Sequence, residues 1–500
     1  MSLSATIGSI GSTTGSLSAV SSAILAPFSV SDGLRSPQKS NADEGRAKSL
    51  YHLLRVPCPD ESARRLGGDY LQEQLAGASE LGCDLPESPA QLPDWISHRI
   101  EDIGARYAAY LAERKAGAPR RYFSNKSHAL YFLRAVAPTK LVDGSWLYGT
   151  LQHWQDIRFR PLVLTYLEEL GDGDAAMNHV TLYRQLLATH DCENWDSLGD
   201  DHFVQGAIQL ALAYQTEDHL PEVIGYNLGY EQLPLHLLIT AYELNELGID
   251  PYYFTLHVTI DNASTGHAHK AAQVVEELAQ QQDDPENFYR RIQNGYLLND
   301  LGVSTLAVIE HFDIEEELVA ILQAKAEVGQ NMHSDYCRFG GKTVNEWLKE
   351  PGSIREFLTA LQQAGWIKRG EDPAQSRFWQ MICNTGAEMF GVFSAYETQI
   401  LSDWIKGPIT DASPRREPSF RALQRMRAQR RNGGNEGAAA KNASDALSSY
   451  SSNVIVLSPG PVDPELTEMI ASLSPGMHHT PEGLHATRLF SAAVRSGFTT

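Results

Sequence analysis

The chain has 500 residues, 42% hydrophobic and 21% charged, and its 41 Lys+Arg against 62 Asp+Glu give a formal charge of −21. That acidity excludes a chain-wide nucleic-acid footprint, which needs a basic surface to neutralise phosphates. No apolar run approaches the roughly 20 residues that span a bilayer, and the length allows two to four domains or one large helical body with extensions.

Residues 1–43 are rich in serine and poor in large apolar side chains, so they are expected to be disordered. A signal peptide would need a basic stretch ahead of its apolar core. A transit peptide is the alternative, although Arg35 is the first arginine. From Glu44 to Ile405 the apolar residues recur every three or four positions, as in Ile96, Ile100, Ile103, Tyr107 and Leu111. The same period predicts helices over 122–135, 159–170, 180–188, 203–214, 235–247, 268–280, 288–296, 304–328 and 353–364, with Gly-containing breaks between several of them. Residues 44–119 read as a helical N-terminal extension and 120–405 as the catalytic body. Residues 413–453, rich in Arg, Gly and Ser, read as a flexible linker, and 454–500 as a C-terminal appendage that could pack back on the body. Adjacent residues share no face of a helix or strand, so His478-His479 is expected at the surface or in a tail rather than chelating one metal.

Cys58, Cys83, Cys192, Cys337 and Cys383 are odd in number and widely separated. They suit a reducing compartment and a cytoplasmic location, and offer neither a disulfide framework nor a cysteine-type zinc site. Histidine and carboxylate remain as metal ligands. Three stretches place them in apolar helices. Glu169 ends one helix and His179 opens the next across Gly171-Asp172-Gly173. Glu222 sits just inside a helix expected to begin at Pro221. His257 and Asp261, four apart, share a helical face, with His267 downstream. Buried carboxylates and imidazoles are costly unless paired or metal-bound, and a thiolate-free mixture suits iron or manganese. The aromatic residues Tyr226 and Tyr230, and the run Leu141-Val142-Asp143-Gly144-Ser145-Trp146, read as core. Arg338 and Lys342 read equally as carboxylate holders or helix-end charges.

The motifs Glu-Leu-Gly-Asp-Gly with Asn-His-Val-Thr-Leu-Tyr, then Leu-Pro-Glu-Val-Ile-Gly-Tyr-Asn, then Leu-His-Val-Thr-Ile-Asp-Asn-Ala-Ser-Thr-Gly-His-Ala resemble the iron-containing redox enzymes, the haem-oxygenase-like di-iron oxidases and oxygenases. The resemblance covers about residues 120–400. It implies an all-α, haem-oxygenase-like helical bundle with extra N- and C-terminal helices and disordered tails. It also implies the iron ligands Glu169, His179, Glu222, His257, Asp261 and His267. Family members often place the last histidine about two turns after the first, where this chain has Ser264. A π-bulge or helix break would return His267 to the site, and His269 is its substitute.

The implied cofactor is Fe(II), as two ions, with O2 as co-substrate. The implied activity is oxidation or oxygenation of a small amine- or carboxylate-bearing molecule, an amino-acid derivative or a fatty acid, by N-oxygenation, desaturation or carbon-carbon cleavage in natural-product biosynthesis. The expected partners are that substrate, an electron donor and a second copy in a homodimer, with no nucleic acid and no membrane span. Two readings compete: a non-enzymatic helical interaction protein, and a thiaminase-like hydrolase on the same fold. The hydrolase would need an activated cysteine, and neither Cys192 nor Cys337 sits in such a motif.

Overall fold

The computed structural model describes residues 45–260, 266–333, 336–350, 352–408 and 464–497. Their regular structure is helical apart from one antiparallel pair of two-residue strands, Arg338–Phe339 and Lys342–Thr343. The all-α expectation therefore holds. The expected disordered N-terminal segment and the Arg-rich linker lie outside the described residues. Among the described residues, no helix is long and apolar enough to cross a membrane.

Side-chain caps set many of the helix starts. Asn125 accepts from His128 N–H ahead of helix Lys126–Ala135, Asn178 from Thr181 N–H ahead of His179–Thr189, and Asp284 from Asn287 N–H ahead of Pro285–Leu297. Ser394 and Glu397 form a reciprocal capping box at the start of Ala395–Lys406. The run expected as one helix over 304–328 is two, Thr305–Glu310 and Ile314–Gly329. Asp313 breaks it by accepting from the backbone N–H groups of Glu315 and Glu316. The helix expected to begin at Pro221 begins at Thr216 and runs to Tyr230, with a kink at His219 (φ −123°, ψ 29°) just before the proline. Proline removes a backbone donor and clashes with the preceding turn, so the distortion falls there.

Two apolar clusters organise the body. One joins helices Arg46–Leu54 and Glu61–Ala78 to Arg160–Glu169, Val204–Tyr214, Thr216–Tyr230, His267–Ala279, Pro285–Leu297 and the C-terminal segment. The N-terminal helices thus share a core with helices of the body. The second unites Lys126–Ala135, His179–Thr189, Leu235–Glu246, Tyr252–Ile260, Ile314–Gly329, Ile354–Gln363 and Ala395–Lys406. Within the first, helices Thr216–Tyr230 and Pro285–Leu297 touch backbone to backbone. A Cβ on Gly225 would lie 1.9 Å from Ile292 O, and one on Gly295 would lie 2.2 Å from Glu222 O. Any side chain at either glycine would force these helices apart.

Glu169 and His267 are carried by helices of the first cluster, and His179 and His257 by helices of the second. The candidate site therefore sits at the seam between two cores, where backbone ends meet.

Candidate metal centre

The site is built from helix ends, which leave side chains free to converge. Glu169 is the last residue of Arg160–Glu169, and His179 is the first of His179–Thr189. Between them, Gly171–Gly173 makes a tight bend in which Asp172 adopts φ +49°. His257 lies in Tyr252–Ile260, His267 opens His267–Ala279, and Glu231 caps the end of Thr216–Tyr230. Asp143 precedes Gly144, whose φ is +79°. A Cβ on Gly144 would come within 2.8 Å of Glu169 Cβ, so glycine is what lets the Asp143 turn lie against Glu169.

Ligand atoms of Asp143, Glu169, His179 and His257 all lie within 4.8 Å of one another, as do those of Glu169, Glu231 and His267, and every one of these residues is buried. Glu169 belongs to both groups. One of its oxygens meets His179 Nδ1 in a very short contact, and the other lies 3.6 Å from His267 Nδ1. Asp143 Oδ2 lies 3.2 Å from His257 Nε2 and 3.6 Å from His179 Nδ1. Glu231 Oε2 lies 2.9 Å from His267 Nδ1.

Supporting hydrogen bonds aim the imidazoles. His257 Nδ1 donates to Tyr253 O at 2.9 Å, which leaves Nε2 as the nitrogen turned toward Asp143. His267 Nε2 faces Glu168 at 2.8 Å, so its Nδ1 points to Glu231 and Glu169. Lys270 donates to the same Glu168 oxygen at 2.7 Å. Asp143 accepts from Tyr230 OH at 2.6 Å and Tyr253 OH at 2.5 Å, and Lys140 donates to Tyr230 OH.

Electrostatics ties these groups together. Burial alone would depress His179, but Glu169 and Asp143 outweigh it and push the imidazole up to about 10. Burial likewise opposes charge on His267, and Glu231, Glu168 and Glu169 overcome it, raising that group to about 11. Burial would raise Asp143 and Glu169, yet their cationic neighbours hold both below the ordinary carboxylate range. Glu231 goes the other way: burial raises it despite His267.

Three atoms of the cluster, both ring nitrogens of His179 and Glu231 Oε1, are buried without a partner in hydrogen-bond geometry, the close approach of His179 Nδ1 to Glu169 included. Orphaned buried polar atoms are uncommon in folded proteins. With oxygen and imidazole donors converging and no thiolate among them, the set fits a cation of the iron or manganese type.

Four of the six sequence-nominated residues, Glu169, His179, His257 and His267, converge here. Asp261 lies outside the described residues. Glu222 belongs elsewhere: Arg291 grips its carboxylate at 2.6 and 2.7 Å, beside His219. Its place is taken by Glu231. Nine residues at about 100° each put these two carboxylates on opposite helix faces. A register count was the available signal for Glu231, because Ile224 and Leu228 set an apolar stripe on its face. Asp143 was signalled by a lone charge inside Leu141–Leu147.

Residues 130–299 match the family model described as "Iron-containing redox enzyme". The match is confined to that segment, about a third of the chain. It contains every residue of both ligand groups. No curated protein and no solved structure matches the chain. The similarity of this segment to iron-containing redox enzymes makes the buried carboxylate–imidazole cluster a candidate iron site.

Proposed function

We propose that the chain is a non-haem iron oxidase or oxygenase that holds two Fe(II) ions and uses O2 on a small amine- or carboxylate-bearing substrate. The observation that carries this reading is Glu169, a buried carboxylate shared by two ligand groups on opposite sides of it. A carboxylate that belongs to both groups could offer a ligand atom to each of two ions. Asp143, His179 and His257 would complete one position, and Glu231 and His267 the other, with Asp261 a further candidate. When bound, iron supplies the redox capacity for O2 chemistry, which no amino-acid side chain here provides.

The protein's own contribution is positional and electrostatic. Tyr253 O and Glu168 fix the tautomers of His257 and His267, so that the correct nitrogen faces the centre. Tyr230 and Tyr253 hold both oxygens of Asp143. Flanking helices exclude water, and the proton on His179 and that on His267 balance the buried carboxylates until a cation replaces them. Natural-product biosynthesis, a cytoplasmic location, an external electron donor and a homodimer belong to the same proposal and rest on the family resemblance.

A thiaminase-like hydrolase is disfavoured by Cys192, whose thiol burial pushes up to about 12, opposite to an activated nucleophile. The proposal is tested by loading the full chain anaerobically with Fe(II), counting bound iron, and following O2 consumption with a panel of amino acids and fatty acids. We expect two irons per chain and substrate-accelerated O2 uptake. An iron count unchanged by Glu169→Ala, or no uptake at all, would overturn it.

A further inference from the structure

A cleft of about 230 Å³ opens beside the metal-bearing helices, lined by Arg55, Leu141, Arg184, Leu187, Glu193 and Trp195. At roughly 30 Å³ per water it has room for several waters or for a small ionised group. Its two arginines come from different elements. Arg55 caps the end of helix Arg46–Leu54, and Arg184 lies on His179–Thr189, the helix that His179 opens.

Neither arginine is neutralised. Arg55 lies over the rings of Tyr51 and Trp195, 5.7 and 5.3 Å from their centroids. Arg184 donates to His479 Nε2 at 2.9 Å. Among the described residues, no carboxylate comes within ion-pair distance of either guanidinium. In a chain with an excess of 21 acids over bases this is unexpected.

His479, which Arg184 contacts, and His478 are not among the residues that line the cleft, and neither brings a negative charge to it. Asn178 Oδ1 accepts from Thr181 N–H, so its Nδ2 is the atom that faces both Leu170 O and His478 Nδ1. His478 Nδ1 is therefore an acceptor, which leaves its proton on Nε2. By the same logic, Arg184 donating to His479 Nε2 leaves the His479 proton on Nδ1. Both N–H groups are buried without a partner. Arg55 is also near enough to help depress both imidazoles, after burial, so they stay neutral and add no charge of their own.

We propose that this cleft is an oxyanion-binding site that takes a carboxylate or phosphate group between Arg55 and Arg184. The planar guanidinium fork matches both groups in a way an ammonium does not. Trp195 supplies an apolar wall under Arg55, and Glu193, the acid among the lining residues, opposes the ligand from an exposed position. The site is separate from the iron reading and does not depend on it.

The test is calorimetric titration of the metal-free full chain with sodium phosphate and, separately, sodium acetate, against a sodium chloride background. We expect saturable one-site binding of at least one anion. It should weaken at least about tenfold in Arg55→Gln and in Arg184→Gln, tighten in Glu193→Gln, and fall with salt. Binding of phosphate alone would mark a phosphate-bearing ligand; binding of acetate alone would mark a carboxylate. A rise in thermal midpoint on adding the anion, absent from the double arginine variant, is the second readout. No saturable binding by either anion, or affinity within twofold of wild type in the folded double variant, would overturn the proposal. Metal-free protein keeps this outcome distinguishable from failure of iron binding.

Discussion

Glu243 and Glu169 are both buried carboxylates, yet they are finished in opposite ways. Glu243 accepts from the backbone N–H groups of Arg121, Tyr122 and Phe123, at 2.5, 3.0 and 2.9 Å, and from Tyr110 OH at 2.7 Å. Every partner is a neutral donor fixed by the fold, and the carboxylate staples the segment before helix Lys126–Ala135 to Leu235–Glu246. Glu169 instead faces imidazoles and lies close to two further carboxylates, with orphaned atoms beside it. A buried charge satisfied by peptide groups is complete as it stands. One surrounded by ligand-type side chains is complete only with a cation or with protons standing in for it.

Substituting both glutamates tests that contrast most severely. Glu169→Ala is expected to bring bound iron from two per chain to near zero, because it removes the atom set common to both positions. Glu231→Ala and His257→Ala should each cost one ion, and Glu222→Ala none, since Arg291 rather than the cluster holds it. Metal counting on the folded variants checks all four. Glu243→Ala should leave the iron count per folded chain unchanged but lower unfolding free energy by about 3 kcal/mol or more, because it leaves four neutral donors without their acceptor. Denaturant titration measures it. Equal loss of iron in the Glu243 and Glu169 variants would erase the distinction.

A second test uses pH. In metal-free protein the stability contributed by His179 and His267 is fully present below the unfolded imidazole value near 6.5. It is lost as pH rises through the folded values of about 10 and 11. Glu168, held down to about 2 against burial by His267 and Lys270, works in the other sense: its contribution is present above about 4.5 and lost as pH falls toward 2. Metal-free stability should therefore be greatest near pH 5–6.5 and decline toward pH 10. Fe(II) affinity should rise over the same alkaline window, with up to about two protons released per chain, because the imidazoles must lose their protons to ligate. Buffer-dependent calorimetry reads the proton count, and an affinity independent of pH between 7 and 9 would contradict the assignment.

The comparison also explains what was legible in the sequence. Helices such as Arg160–Glu169 and His179–Thr189 announce themselves by apolar period, and their ends by Gly171 and by Asn178. Glu169 and His179 were readable because a short bend joins them in sequence. Glu231 and Asp143 were not, since their relation to Glu169 is made by tertiary packing: the Gly225–Gly295 contact that sets one helix, and the Gly144 turn that sets the other residue. Glu222 attracted notice as an acid among apolar neighbours, but only the cross-helix position of Arg291 reveals its partner. His478 was expected at a surface and is buried against Asn178, because Pro464–Met469 and Pro481–Gly497 fold back on the Glu169–His179 bend. No local pattern encodes that return across so long a stretch of chain.

That return suggests the smallest effect worth measuring. Ser491 Oγ and Arg495 reach Asp172, the residue held at positive φ between Glu169 and His179, at 2.6 and 2.9 Å, and Arg488 donates to Gly173 O at 3.0 Å. The C-terminal helix thus braces the bend from outside while Asn178 and His478 brace it from within. Ending the chain before residue 464 should accelerate iron release to a chelator far more than any single change in this helix. Arg495→Ala removes only partly exposed ion pairs, worth up to about 1 kcal/mol, so release should quicken by no more than about fivefold. A rate unchanged in the truncated chain would show that the bend keeps its geometry unaided, and would leave the helix as packing for the first core alone.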